Sequence, residues 1–418
     1  MKHLIRNLGL TFFGSLLCSM AYAQDLYTIL ELALENDPTL KQAEAQYRAN
    51  RENLSQSRSA LLPSFGAGGS TSRVTSGPAD DVFRTFPDPL TGAPTSVLVQ
   101  PRHSYGNGLN NHGWGVNLSQ SVLNLASWYT FQSAKASDRA AAVNLAAQEQ
   151  DLIMRVAMAY FDVLRAQELL ATNLQEEEAA LRSLEQTRQR EEVGLVAITD
   201  VFDSQAAYDL ARNTTILQRD LLRARFEALE AITGQPHGDI DELRADFPIL
   251  EVDGSLIEWE GQAEDNSLAI AAARYNLEAS RKNLRARKAD RLPTVDFLGQ
   301  YGHNVTAPIV SQGIQIGGGA FDRTSLALSI NIPIYTGGSV SSRRRQAEQN
   351  LVAAQESLEL TRRQLTQNIR NAYRRVNTDV LVIAQRQQSI DSAQLALDAT
   401  ELGAQVGKIG RASCRERV

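Results

Sequence analysis

Five histidines, His3, His103, His112, His237 and His303, are the side chains best suited to hold a metal or move a proton near neutral pH. Metal ligation needs them clustered at set intervals, and these five show no ligand spacing. The glycine-rich pieces Gly66–Gly69 and Gly317–Gly319 would have to open a helix to cradle a phosphate; they read instead as strand or turn glycine. Glu176–Glu178 reads as a solvated helix face. Of the two cysteines, Cys18 lies inside an export signal, so Cys414 has no partner in a mature chain. These residues point to no catalytic, cofactor-binding or metal site and to no enzyme. A net charge of −6 argues against nucleic acid as a partner.

With no chemistry to position, the elements themselves carry the information. Lys2, His3 and Arg6, the apolar stretch Leu8–Met20 and then Ala21-Tyr22-Ala23 form the three zones of a signal peptide spanning residues 1–23. Lipidation at Cys18 is disfavoured because Leu17 stands where that signal takes a small residue. No later segment approaches the roughly 20 apolar residues of a spanning helix, so a membrane role requires a β-barrel.

The chain is duplicated. Glu35–Phe65 matches Asp265–Val295 without a gap, Pro63 recurring as Pro293 at an offset of 230, with Asn36/Asn266, Ala43/Ala273, Arg51/Arg281, Asn53/Asn283 and Leu54/Leu284 identical. Both copies end a helical run at Leu-Pro, where proline removes a donor and extends its predecessor. Each helix should therefore hand over to a strand. Val295, Phe297 and Tyr301 alternate with polar residues, as do Trp114, Val116, Leu118 and Val122, and Leu326, Leu328, Ile330, Ile332 and Ile334. One apolar and one polar face suit a barrel strand or a half-buried soluble strand equally. Between paired strands, Ser76–Asn111 and Asn304–Arg323 read as long irregular loops.

The remaining length reads as helix. Proline is absent from Arg102 to Gln235 and after Pro333, and a helix from about Ser127 to Val193 would run on the order of 100 Å. Such a helix persists only by pairing. Leu351, Leu358, Leu365 and Ala372 recur every seventh residue, then Val376, Ile383, Ile390 and Leu397 in a second register. Ile153, Tyr160, Leu174 and Leu181 keep a similar spacing in the first copy, and Leu210, Leu217, Leu221, Ala224 and Ala228 mark a face of a return helix Val201–Thr233. Between these helices, Gly194 followed by Thr199-Asp200 reads as the tip of a helical hairpin, and Val406-Gly407 stands at the equivalent place in copy two. Trp114, Trp128, Tyr129 and Phe131 fall at a strand-to-helix handover, where membrane-interface and core placement both remain open.

Four motifs in order resemble the TolC family of outer-membrane channel tunnels: Ala159-Tyr160-Phe161-Asp162-Val163-Leu164, the tip Val193–Val201, Leu292-Pro293-Thr294-Val295-Asp296 and Ile332–Gly338. The resemblance covers the mature chain to Gly407. It implies a mixed α/β membrane protein, a homotrimer in which each protomer gives four β-strands to a shared 12-strand barrel and long helices to a coiled-coil periplasmic tunnel. It also implies a passive exit duct in the outer membrane of a Gram-negative bacterium for multidrug efflux or type I protein secretion. Its partners would be outer-membrane lipid, a periplasmic adaptor (membrane fusion) protein and an inner-membrane RND or ABC transporter. By the same resemblance Val193, Gly194, Leu195, Val406 and Gly407 would meet the adaptor, and Thr199 and Asp200 would gate the periplasmic aperture. Gly194 as a plain helix turn and Asp200 as a plain helix N-terminal acid remain alternatives. Copy two departs from the family where Ala404 replaces an expected tyrosine and an arginine after Gly407 is absent.

Residues 24–249 thus form repeat 1 and 250–407 a truncated repeat 2. Lys408–Val418 loses heptad and motif together and reads as a non-native or divergent tail. Arg343–Arg345, just past a strand, could meet phospholipid headgroups or be a solvated helix start. The alternative function, an exported periplasmic coiled-coil adaptor or structural rod, needs the same heptads but no barrel.

Overall fold

The computed structural model describes residues 25–74, 82–100, 109–244, 249–250, 252–311 and 314–405. The export signal, His3, His103, Val406, Gly407 and the tail lie outside the described residues. In chain order the elements are α1 (Leu26–Asn36), α2 (Pro38–Ser59), β1 (Ser64–Val74), β2 (Val82–Pro87), β3 (Pro94–Gln100), β4 (Leu109–Leu123), α3 (Leu125–Glu192) and α4 (Ile198–Thr233). The second copy follows with α5 (Leu256–Asn266), α6 (Leu268–Ala289), β5 (Thr294–Thr306), β6 (Ile309–Ser311), β7 (Ile314–Ile316), β8 (Gly319–Asn331) and α7 (Ser339–Gln405). No helix among the described residues is long and apolar enough to cross a membrane.

The offset of 230 survives as geometry: α1 recurs as α5, α2 as α6, and the start of β1 as the start of β5. One polar residue joins each helix pair. The Asp37 N–H donates to Ala33 O at 2.8 Å, ending α1, while its carboxylate accepts from the Leu40 N–H at 3.0 Å, starting α2. Ser267 repeats both bonds, to Ala263 O at 2.9 Å and from Ile270 N at 3.3 Å. A short oxygen-bearing side chain followed by extended-to-helical backbone is what a helix start requires.

The chain forms two compact units, each built from both copies. One, residues 1–46, 145–259 and 369–418, is helical. Its core is Ile29, Ala33, Leu40, Leu152, Val156, Tyr160, Val163, Leu229 and Ile240. Tyr160 buries its ring there and donates its hydroxyl to Asp241 O at 2.7 Å, the usual resolution for a buried phenol. The packed stripe on α3 is therefore Leu152, Val156, Tyr160 and Val163; Ile153 and Leu174 from the seven-residue reading stay exposed. On α4 the inward face is Ala211, Thr215, Leu229 and Thr233, whereas Leu210 and Leu217 are about two-thirds exposed, at 68% and 65%. Thr215 on that face donates to Asn173 O on α3 at 3.2 Å. Val376, Ile383, Ile390 and Leu397 on α7 are likewise exposed.

The other unit, residues 47–144 and 260–368, holds an antiparallel sheet of order β1-β4-β5-β8. Beside it α3 and α6 meet where Ser133 donates to Ala279 O at 2.8 Å, and Ala136, Ala140, Ala279 and Ala286 are buried on these helices. The register sorts the sheet into two faces. One carries Phe65, Leu118, Gly299 and Leu326 in a row, then Ala67, Val116, Tyr301 and Thr324. The other carries Gly66, Asn117, Gln300 and Ser325, then Gly68, Gly115, Gly302 and Arg323. Alternation of apolar and small polar rows is the period of two predicted for these strands.

Several expectations need correction here. β8 ends at Asn331, so Ile332 and Ile334 lie beyond it; Pro333 has no N–H to continue a ladder. The second connection is shorter than expected, because β5 runs to Thr306 and β8 begins at Gly319, placing Arg323 in a strand. The first connection is not wholly irregular, since β2 and β3 pair as a hairpin whose turn is closed by Asp88 accepting from the Leu90 N–H at 2.8 Å and by Gly92 at φ 68°. Trp114 lies well inside β4, its ring 5.5 Å from Tyr301, away from Trp128 and Phe131, which pair at 6.0 Å on the first turns of α3.

Candidate functional site

Two features offer themselves for function, one in each unit. In the helical unit, α3 stops at Glu192 and the chain turns through Val193, Gly194 and Leu195. Gly194 has φ +72°, a left-handed conformation that costs an L side chain roughly 1–2 kcal/mol. Its N–H donates to Glu191 O and the Leu195 N–H to Arg190 O, both at 2.8 Å. That crossed pair satisfies two carbonyls the helix end would leave bare. A Cβ at Gly194 would meet nothing within 4 Å, so the backbone angle alone selects glycine.

The tip presents apolar side chains to solvent. Val193 is 68% exposed, Leu195 67%, Ile198 51% and Phe202 65%. Just behind them the hairpin is fastened: Leu184 and Val201 are buried, Ser204 donates to Thr187 Oγ1 at 3.2 Å and Arg188 to Gln205 Oε1 at 2.6 Å. Farther along, Arg225 and Asp162 approach to 3.5 Å. These paired contacts define an antiparallel hairpin whose end is apolar and exposed. Thr199 and Asp200 are brought together with the tip on the first turn of α4. Both are exposed. The Asp200 carboxylate accepts from the Ala197 N–H at 3.3 Å, a helix N-terminal role, and no described cation pairs with it.

In the sheet unit the feature is incompleteness. β1 and β8 are the outer strands, each pairing on one side only. Every residue of β8 is exposed, with Leu326 at 72%, Leu328 at 63% and Ile330 at 62%. A long, flat, apolar edge of this kind does not persist in water unless another strand covers it.

His303 Nδ1 meets Asp322 Oδ1 at 2.6 Å in the sheet, and His237 Nε2 meets Thr233 Oγ1 at 2.6 Å in the helical unit, where burial lowers the imidazole pKa and favours the neutral ring. No metal-ligating cluster occurs among the described residues.

Sequence reasoning missed the tightest polar cluster. Asp37, 2% exposed, receives Arg155 Nη2 at 2.8 Å and the Thr39 hydroxyl, while Arg155 Nε donates to Asp151 at 3.0 Å. Burial raises the Asp37 carboxyl pKa, but the bonds from Arg155, Thr39 and the Leu40 N–H lower it by more, leaving it below the usual carboxylate value. The Asp37-Pro38 helix start was a visible signal; its partner 118 residues away was not.

Against known proteins, a model described as outer membrane efflux protein matches residues 29–235 and 259–416. Outer membrane protein TolC of Vibrio cholerae is 33% identical over 397 residues, 94% of this chain and 83% of that protein. The proteases secretion protein PrtF of Dickeya chrysanthemi is 26% identical over 399 residues, 94% of this chain and 81% of that protein. Among solved structures, the outer membrane protein VceC from Vibrio cholerae superposes with TM-score 0.70 at 17% identity, covering 91% of this chain and 86% of that one.

Proposed function

The chain belongs to the outer membrane efflux protein family, and from that premise we propose that three copies close one barrel and that the hairpin tips dock an adaptor. Membership makes it an outer-membrane exit duct for efflux and type I secretion, with the channel-tunnel fold and its helices in the periplasm. The rod alternative is overturned by the same findings. Its relatives are channel proteins rather than enzymes.

The single observation carrying the trimer is the open sheet of four strands with two bare edges and an exposed apolar face. In lipid every backbone donor and acceptor must be satisfied, and four strands are too few to close. Joining β8 of one protomer to β1 of the next removes both edges at once. The apolar rows then face lipid and the Gly/Ser/Asn rows line the pore. The exposed Leu210 and Leu217 stripe on α4 supports the same assembly, because it gives each hairpin a second apolar face for a neighbour.

Passage needs no chemistry from the channel, only a continuous duct and a source of drive. That drive comes from an inner-membrane RND or ABC transporter joined through a periplasmic adaptor. Val193, Gly194 and Leu195, with Val406 and Gly407 in copy two, are the adaptor contacts in this reading: at Val193 and Leu195, apolar side chains held on a hydrogen-bonded turn lose little entropy on binding. Thr199 and Asp200 hold the aperture, Asp200 offering a carboxylate oxygen to a cation on an adjacent coil in the closed state.

Leu195→Asp is the test. It adds a charge at the apolar tip without touching the Gly194 bonds, and recovery of the adaptor with the purified channel from host membranes is expected to fall at least about tenfold. The amount of trimer should not change. Undiminished recovery with the tip charged would remove the adaptor from this site.

A further inference from the structure

The pore-facing rows of the sheet are almost free of charge. Across β1, β4, β5 and β8 they consist of glycine, serine, threonine, asparagine, glutamine and a few apolar residues, and the two charged residues are Asp296 and Arg323. Asp296 shares its row with Ser121 and Ser329, at the sheet end that joins the helices. Arg323 pairs with Gly302, farther toward the loops, about 20 Å along β5 at roughly 3.3 Å per residue.

The surroundings of Arg323 set it apart. Its row is Gly68, Gly115, Gly302 and Arg323, so three of four positions have no side chain. A Cβ at Gly68 would meet nothing within 4 Å. A trough of about 380 Å³ lies over the β1, β4 and β5 part of these rows, lined by Gly68, Ser70, Asn117, Gln300, Gly302 and Asn304, with Arg323 on β8 beyond its lining. Arg323 is exposed, and no carboxylate among the described residues pairs with it. The neighbouring Asp322 is turned to the opposite face, where it holds His303.

We propose that Arg323 is a selectivity residue: in the assembled channel three Arg323 guanidiniums form a ring inside the barrel that engages carboxylate or phosphate groups of passing solutes. This rests on the trimeric barrel proposed above. Rings of arginine or lysine select anions in pores, and the planar guanidinium fork matches carboxylate and phosphate oxygens. The glycine row leaves the ring reachable. The aspartate ring at the helix-side end attracts cations, so the lumen has opposite charges at two levels rather than one uniform field.

The full chain in a planar lipid bilayer provides the test, with inorganic triphosphate added to each side in turn. Triphosphate from the loop side is expected to block wild-type current. Arg323→Ser should raise the half-blocking concentration at least about tenfold, since each ring member contributes charge-assisted bonds. Arg323→Lys should retain part of the block, and Asp322→Asn, on the lipid face, should leave it unchanged. Pores that conduct but are blocked equally in wild type and Arg323→Ser, or not blocked in either, would overturn the selectivity ring and spare the barrel. A wild-type chain that opens no pore would overturn the barrel and the ring with it.

Discussion

Leu328→Arg is expected to abolish accumulation of the protein in the outer membrane. Leu328 pairs with Phe297 on the apolar face and is 63% exposed in the single chain, so in a closed barrel it points into lipid. An arginine on the lipid face costs up to about 2–4 kcal/mol at the bilayer midplane and less toward the interfaces, and Leu328 lies toward the helix-side end of β8. In the proposed trimer three protomers share one barrel, so one substitution is felt three times in the assembly. Ala327→Arg supplies the contrast, because Ala327 pairs with Leu298 on the pore-facing side and its long side chain would extend into water. Urea-washed membranes analysed on unheated gels should show a trimer band for Ala327→Arg and none for Leu328→Arg. A trimer band for Leu328→Arg and none for Ala327→Arg would mean that the two faces have been assigned the wrong way round, and equal bands would mean that neither face meets lipid.

The second large effect lies in the helical unit. Asp37→Ala removes a carboxylate that starts α2 and is the buried partner of Arg155. Losing a helix-start side chain costs about 1 kcal/mol, and stranding a buried charge adds more. Arg155 is itself 28% exposed and can recover some hydration, which holds the expected total to about 2–3 kcal/mol. In a unit of this size that lowers the helical melting midpoint, followed by circular dichroism, by roughly 5–10 °C. The pH dependence has a definite sign. The folded Asp37 pKa is below the unfolded value, so its stabilisation is complete above about pH 4 and fades as pH falls through the folded value. The gap between wild type and Asp37→Ala should be full at neutral pH and shrink in acid. A gap that widened on acidification would exclude the ion pair as its source.

The parts of this fold legible in the sequence were those with local causes. A Leu-Pro dipeptide stops a helix wherever it stands, and its repetition at an offset of 230 announced both helix-to-strand handovers. Gly194, alone in a long helical run, marked a turn because only its backbone angle was at issue. What escaped depended on neighbours distant in sequence. Both sides of α4 carry residues that can pack, and the burial of Ala211 and Thr215 rather than Leu210 and Leu217 depends on α3, to which Thr215 bonds. Arg323 looked like loop because Gly317–Gly319 precede it, yet pairing with β5 carried the strand back to Gly319. Arg155 bore no local mark of its partner Asp37. At the tip, Thr199 and Asp200 were legible as a helix start, while gating and adaptor contact depend on other chains and were read from resemblance alone.

Closure of the barrel between subunits is tested most directly by disulfides between the two edge strands, in a Cys414→Ser background. Cysteines would be placed pairwise along β1, at Ala67 or Thr71, and along β8, at Thr324 or Leu326. Within one sheet β1 and β8 are separated by β4 and β5, about 14 Å at roughly 4.8 Å per strand, and a disulfide spans at most about 7 Å between Cα atoms. Any bond formed must therefore join two chains. In-register pairs are expected to give covalent dimers and trimers and nothing larger, since a ring of three has no free edge. Membrane-inserted protein that remains monomeric across the whole panel, or that links into ladders beyond three, would contradict a barrel shared by three subunits.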